Sequence, residues 1–121
     1  MGRLKDIRQL QERTKTFAIA VIRLCSALPK TEVARTVGRQ LLGSGTSVAA
    51  NYRAACRARS SADFISKISI VLEETDETLF WLELLVEAQV IEPPGSRTVS
   101  AECEELLRIF AASLATAKAN R

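Results

Sequence analysis

GSGTSVAANYRAACRARS, residues 43–60, is the stretch on which the reading of this chain turns. It sets two glycines and four small hydroxyl residues, Ser44, Thr46, Ser47 and Ser60, inside a sequence whose other periodicities are helical. Gly38 and Gly43 have the glycine spacing of a phosphate-cradling loop, but Ser44 stands where that motif needs its lysine, and no strand precedes it. Val48, Tyr52 and Ala55 meanwhile keep helical step. The stretch therefore reads as the softened middle of one long helix. Each glycine weakens such a helix by about 1 kcal/mol against alanine. A bend, an interruption or a close approach by a neighbouring helix is expected at residues 43–47, with Ser44, Thr46 and Ser47 bonding back to backbone carbonyls.

Upstream, Ile7, Leu10, Thr14, Phe17, Val21, Leu24 and Leu28 alternate spacings of three and four, the seam of a packed helix over about 4–28, with Ala18, Ile22 and Cys25 as a second stripe. Pro29 ends it, and Thr31 can cap a second helix over about 32–58 whose inner face starts Val33, Val37, Leu41. Downstream, Ser60 or Ser61 caps a third helix over about 62–90, with Asp63 in its first turn. Its seam is Ile65, Ile68, Leu72, Thr75, Leu79, Leu82 and Val86, flanked by Phe64, Val71, Thr78 and Leu85. Pro93-Pro94-Gly95 breaks the chain there. Thr98 or Ser100 then caps a fourth helix over about 98–118, its inner face Val99, Cys103, Leu106, Phe110, Leu114 and Ala117. The fold class is all-α. Short connections between long helices predict one domain, residues 1–121, folded as an antiparallel up-down-up-down four-helix bundle.

Composition narrows the function classes. The 121 residues, 47% hydrophobic, suffice for one core. The longest uncharged run, Gln40 to Tyr52, is too short and too polar to span a bilayer, and the charged start lacks the apolar segment of a signal peptide. Met1-Gly2 opens like a myristoylation signal, but Asp6 stands where Ser or Thr is wanted. A cytoplasmic protein with no membrane partner is expected. Cys25, Cys56 and Cys103 are widely spaced and set among apolar residues, and the chain has no histidine. Metal-site spacing and Ser-His-Asp or Cys-His catalysis are therefore absent, and neither a cofactor nor an enzymatic activity is expected. The acidic run Glu73 to Glu77 flanks an apolar seam without the Glu-x-x-His motifs of a di-metal bundle, and reads as a solvated or interface-facing stripe.

The net charge of +3 conceals a division. Residues 1–60 carry twelve Lys and Arg against three Asp and Glu, and residues 61–121 carry five against eleven. Arg53, Arg57 and Arg59 form the sharpest basic cluster, and Arg35 and Arg39 repeat the four-residue pairing before the glycines. Guanidinium groups grip phosphates bidentately, so these five are candidate nucleic-acid-binding residues. The same charges could instead pair with the acidic third helix, within the bundle or between subunits. Phe80 and Trp81, beside a filled seam, and Tyr52 are candidate subunit-interface residues.

Two stretches, residues 43–64 and "ISIVLEETDETLFWLELL", residues 68–85, resemble the bacterial four-helix-bundle family of proteins encoded in intervening sequences of 23S rRNA genes. The retroelement accessory variability determinant proteins belong to the same group. The shared pattern is a run of small residues, then Ser47-Val48 and Asn51, then Ser61, Asp63 and Phe64 opening the third helix. The chain departs from many relatives at Ala49, where they have proline, and at Ala54-Ala55, where they have Glu-Gly. The resemblance implies a slightly splayed bundle in a ring-shaped homo-oligomer, commonly a pentamer, and no enzymatic activity. The retroelement proteins bind nucleic acid and a reverse transcriptase. The likeness thus implies RNA or DNA, a reverse transcriptase, and further copies of this chain as partners.

Overall fold

The computed structural model describes residues 2–121, so Met1 of the Met1-Gly2 start lies outside the described residues. Four helices follow one another: α1 (Gly2–Ser26), α2 (Glu32–Ala55), α3 (Ser61–Glu87) and α4 (Arg97–Ala119). A 3₁₀ turn, Pro93–Gly95, precedes the last. Short connections return each helix alongside its predecessor, giving the up-down-up-down bundle. α2 and α3 share the longest seam, α1 packs on α2 and α4 on α3, while α1 and α4 meet only along a short stretch.

The core lies where the four apolar stripes converge. Phe17 and Val21 of α1 meet Leu41, Val48 and Tyr52 of α2, Ile68, Val71, Leu82 and Leu85 of α3, and Cys103, Leu106 and Phe110 of α4. Each large side chain so buried contributes about 1.5–3 kcal/mol. The short α1–α4 seam is clasped by a bidentate ion pair, Arg13 Nε and Nη2 donating to Glu102 Oε2 and Oε1 at 2.7 Å each.

Helix ends follow their local chemistry. Thr31 Oγ1 accepts from Ala34 N at 3.1 Å, and Ser60 Oγ accepts from Asp63 N at 3.1 Å, so both caps lie where the sequence put them. The last helix starts earlier than expected. Ser96 is its N-terminal flank and Arg97 its first residue, because the 3₁₀ turn places the chain in helical register before Thr98 or Ser100 is reached. α2 stops at Ala55 rather than 58, closing in a tighter turn with Arg57 N donating to Ala54 O and Ala58 N to Ala55 O. α3 stops at Glu87 rather than 90, where Gln89 adopts φ 59° and Val90 N donates to Leu85 O and Gln89 N to Val86 O. That pairing is a Schellman motif with glutamine in the left-handed position.

α2 runs through residues 43–47 without interruption. Its glycines admit neighbours instead. A Cβ at Gly45 would lie 2.7 Å from Val21 Cγ1, and one at Gly38 would lie 2.9 Å from Leu28 Cδ1, whereas one at Gly43 would meet nothing. Ser44 Oγ donates to Leu41 O at 3.3 Å and Thr46 Oγ1 to Leu42 O at 2.7 Å, two of the three back-bonds expected. The inner stripe of α2 is correspondingly made of small residues, Ala34, Gly38, Ser44 and Gly45, with Leu41 and Val48. Val33, expected on that face, is instead 60% exposed.

Candidate functional site

The basic cluster forms at the carboxyl end of α2. Arg53 is the last exposed arginine of the helix, and Cys56 keeps right-handed dihedrals (φ −64°, ψ −17°), which places Arg57 about one turn beyond it. The chain then turns through Arg59 into the Ser60 cap. Arg53, Arg57 and Arg59 thereby line one groove between α2 and α3, with Asp63 and Lys67 on the opposite wall and Ala50 and Ala54 as its floor. On the other side of the Arg53–Arg57 ridge, a second groove between α1 and α2 adds Arg8 and Lys15, together with Glu12. These two cations and Lys67 come from other helices, where no spacing along α2 reveals them.

Asp63 is the one carboxylate in the α2–α3 groove, and it is occupied. Its carboxylate accepts from Lys67 Nζ at 2.8 and 2.9 Å and from the backbone N–H of Arg59 at 3.2 Å. Those bonds, the Lys67 contact foremost, hold the Asp63 carboxyl below its ordinary pKa. Among the described residues, ion pairs join Arg13 to Glu102, Lys67 to Asp63 and Arg108 to Glu105, and none involves Arg35, Arg39, Arg53, Arg57 or Arg59. The alternative of pairing with α3 inside the bundle is therefore not realised for these arginines.

Arg35 and Arg39 are not part of this corner. They lie at the opposite end of α2, beside the α1–α2 turn, in a groove with Lys30 and Leu42. The aromatic candidates also separate. Tyr52, expected at a subunit interface, is 5% exposed and sits in the core, its ring 5.4 Å from that of Phe110. It follows the inner step of α2, and the α4 stripe closes over it. Phe80 is 52% exposed on α3 and meets Trp81 edge-on at 4.9 Å, with Trp81 Nε1 donating to Glu77 Oε1 at 3.3 Å. Their surroundings are acidic: desolvation, then Glu77 and Glu73, raise the Glu74 carboxyl above its ordinary pKa.

The family model of the 23S rRNA-intervening sequence proteins matches residues 8–112, which contain every element of the bundle apart from the outer ends of α1 and α4. The chain belongs to that family. The matched span of this intervening-sequence protein includes all five candidate arginines. A similar solved structure is a protein with unknown function from the S23 ribosomal protein family of Bacteroides thetaiotaomicron. It is 32% identical, with a TM-score of 0.80, over 86% of this chain and 96% of that one. No functionally curated protein matches this chain.

Burial raises the thiols of Cys25 and Cys56 and pushes that of Cys103 up to about 12, so all three stay protonated near neutrality. No group of three or more Cys, Asp or Glu is placed to hold a metal ion among the described residues. No helix among them is long and apolar enough to cross a membrane.

Proposed function

We propose that this protein is a non-enzymatic, oligomeric bundle that binds nucleic acid through the basic corner at the end of α2. One observation carries the reading: Arg53, Arg57 and Arg59 gather with Lys67, Arg8 and Lys15 around one ridge, exposed or half-exposed and, Lys67 apart, without a carboxylate partner. Clustered guanidinium groups that outnumber the nearby carboxylates, Asp63 and Glu12, attract a polyanion and release its condensed counterions on binding. Family membership supports the bundle and leaves the ligand to the surface chemistry.

A second reading, a scaffold whose basic and acidic faces pair between subunits, draws on the exposed Phe80 beside Trp81 among the acids of α3. Aromatic rings rimmed by charge are common anchors of protein interfaces. A ring of subunits, commonly five in the family, would use that face and leave the basic corner free. A reverse transcriptase is the protein partner to test first, because the resemblance to the retroelement accessory proteins implies one.

Labelled RNA and DNA, titrated at low salt while light scattering follows oligomer size, separates the readings. The nucleic-acid reading expects binding that is weakened in Arg53→Ala/Arg57→Ala/Arg59→Ala with oligomer size intact. Loss of the oligomer in that variant, or no binding by the parent protein, would favour the scaffold.

A further inference from the structure

The two arginine pairs of α2 stand in a fixed relation. Arg35 and Arg53 are 18 residues apart in one uninterrupted helix, which is five full turns of 3.6 residues, so both emerge on the same line along its surface. At 1.5 Å per residue they are about 27 Å apart. Arg39 stands one turn inward from Arg35, and Arg57 about one turn beyond Arg53. Between the pairs, the same outer face carries Leu42, Gly43, Thr46 and Ala50, short or neutral side chains that leave a low surface between two raised basic ends.

The aromatic side chains show what such a surface does not grip. The chain has six: Phe17, Tyr52 and Phe110 are buried, and Phe64 packs against the core. Phe80 and Trp81 meet edge-on, on the acidic face of α3. No ring therefore lines either arginine pair's groove, and no platform is present there for the unstacked bases on which single-strand binders depend. A double helix offers such a surface only its regularly spaced phosphates.

We infer that the outer face of α2 docks the phosphate backbone of a double-helical nucleic acid. Arg35/Arg39 and Arg53/Arg57 grip it at two points about 27 Å apart, roughly eight base-pair steps at 3.4 Å each. The inference rests on the nucleic-acid reading above and adds the form of the ligand and a second contact. It places Arg35 and Arg39 in a working role that the corner alone does not require.

Hairpin stems of about 5 and about 14 base pairs test it, because only the longer can span both pairs at 3.4 Å per step. A single strand with the phosphate count of the longer stem is the control, and poly-L-glutamate the competitor. The expected result is at least tenfold tighter binding of the long stem than of the short one. Arg35→Ala/Arg39→Ala should abolish that difference, so that the long and short stems bind alike. The single strand should bind no tighter than the short stem. Equal affinity for single strand and long stem would overturn the inference, as would a length dependence indifferent to Arg35 and Arg39, or displacement of the stem by poly-L-glutamate at equal charge. Each of those outcomes leaves nucleic-acid binding at the corner standing, whereas no binding of any stem would remove that reading as well.

Discussion

Val21 of α1 packs against the bare Cα of Gly45 in α2, close enough that a Cβ there would come within 2.7 Å of Val21 Cγ1. Val21 is fully buried on a β-branched side chain with little rotamer freedom, so it has nowhere to retreat. Gly45→Ala should therefore destabilise the bundle by about 1–3 kcal/mol through overpacking, despite alanine's better helix propensity. Gly43→Ala, two residues away and facing open space, should stabilise it by up to about 1 kcal/mol. Urea unfolding of the two variants checks the opposite signs. A stabilising Gly45→Ala would mean that α1 and α2 are not held this close.

Gln89 ends α3 in the left-handed region, φ 59°, where a side chain is disfavoured and glycine is not. The Schellman hydrogen bonds from Val90 and Gln89 hold it there. Gln89→Gly should stabilise the protein by about 0.5–1 kcal/mol, read as a rise in Tm. An unchanged or lowered Tm would contradict the strained cap.

Cys103 is fully buried in α4, with its thiol donating to Thr75 O at 3.3 Å and its pKa pushed up to about 12, first by desolvation and then by nearby acids led by Glu104. A thiol reagent should spare it in the native protein and modify it only on unfolding, while the half-buried Cys25 and Cys56 react first. The folded pKa lies above the ordinary 9.0, so this group's stabilising contribution is complete below pH 9 and is lost as pH rises towards about 12. Cys103→Ala should flatten that alkaline limb of the stability curve relative to the parent protein. Equal limbs would contradict the burial argument.

The periodicity of α3 was legible because Ile68, Val71, Leu82 and Leu85 are large, apolar and evenly stepped. α2 was harder to read, since its inner stripe depends on Ala34, Gly38, Ser44 and Gly45, residues that bury by being small and so leave no hydrophobic signature. Val33, the more apolar residue, turned outward for that reason. At the site, Arg53, Arg57 and Arg59 were legible from local spacing alone. Arg8, Lys15 and Lys67 join them only through packing of α1 and α3 on α2, and no spacing along the chain encodes that. Tyr52 was misplaced because its closure by Phe110 is likewise a tertiary contact.

Contact between the basic corner and phosphates is tested most directly by the salt dependence of binding. Each phosphate contact contributes about −0.9 to the slope of log affinity against log salt for duplex DNA. The parent protein should show a steep linear fall, and Arg53→Ala/Arg57→Ala/Arg59→Ala should lower the slope's magnitude by about 2–3. An unchanged slope in that variant, at any affinity, would contradict the account.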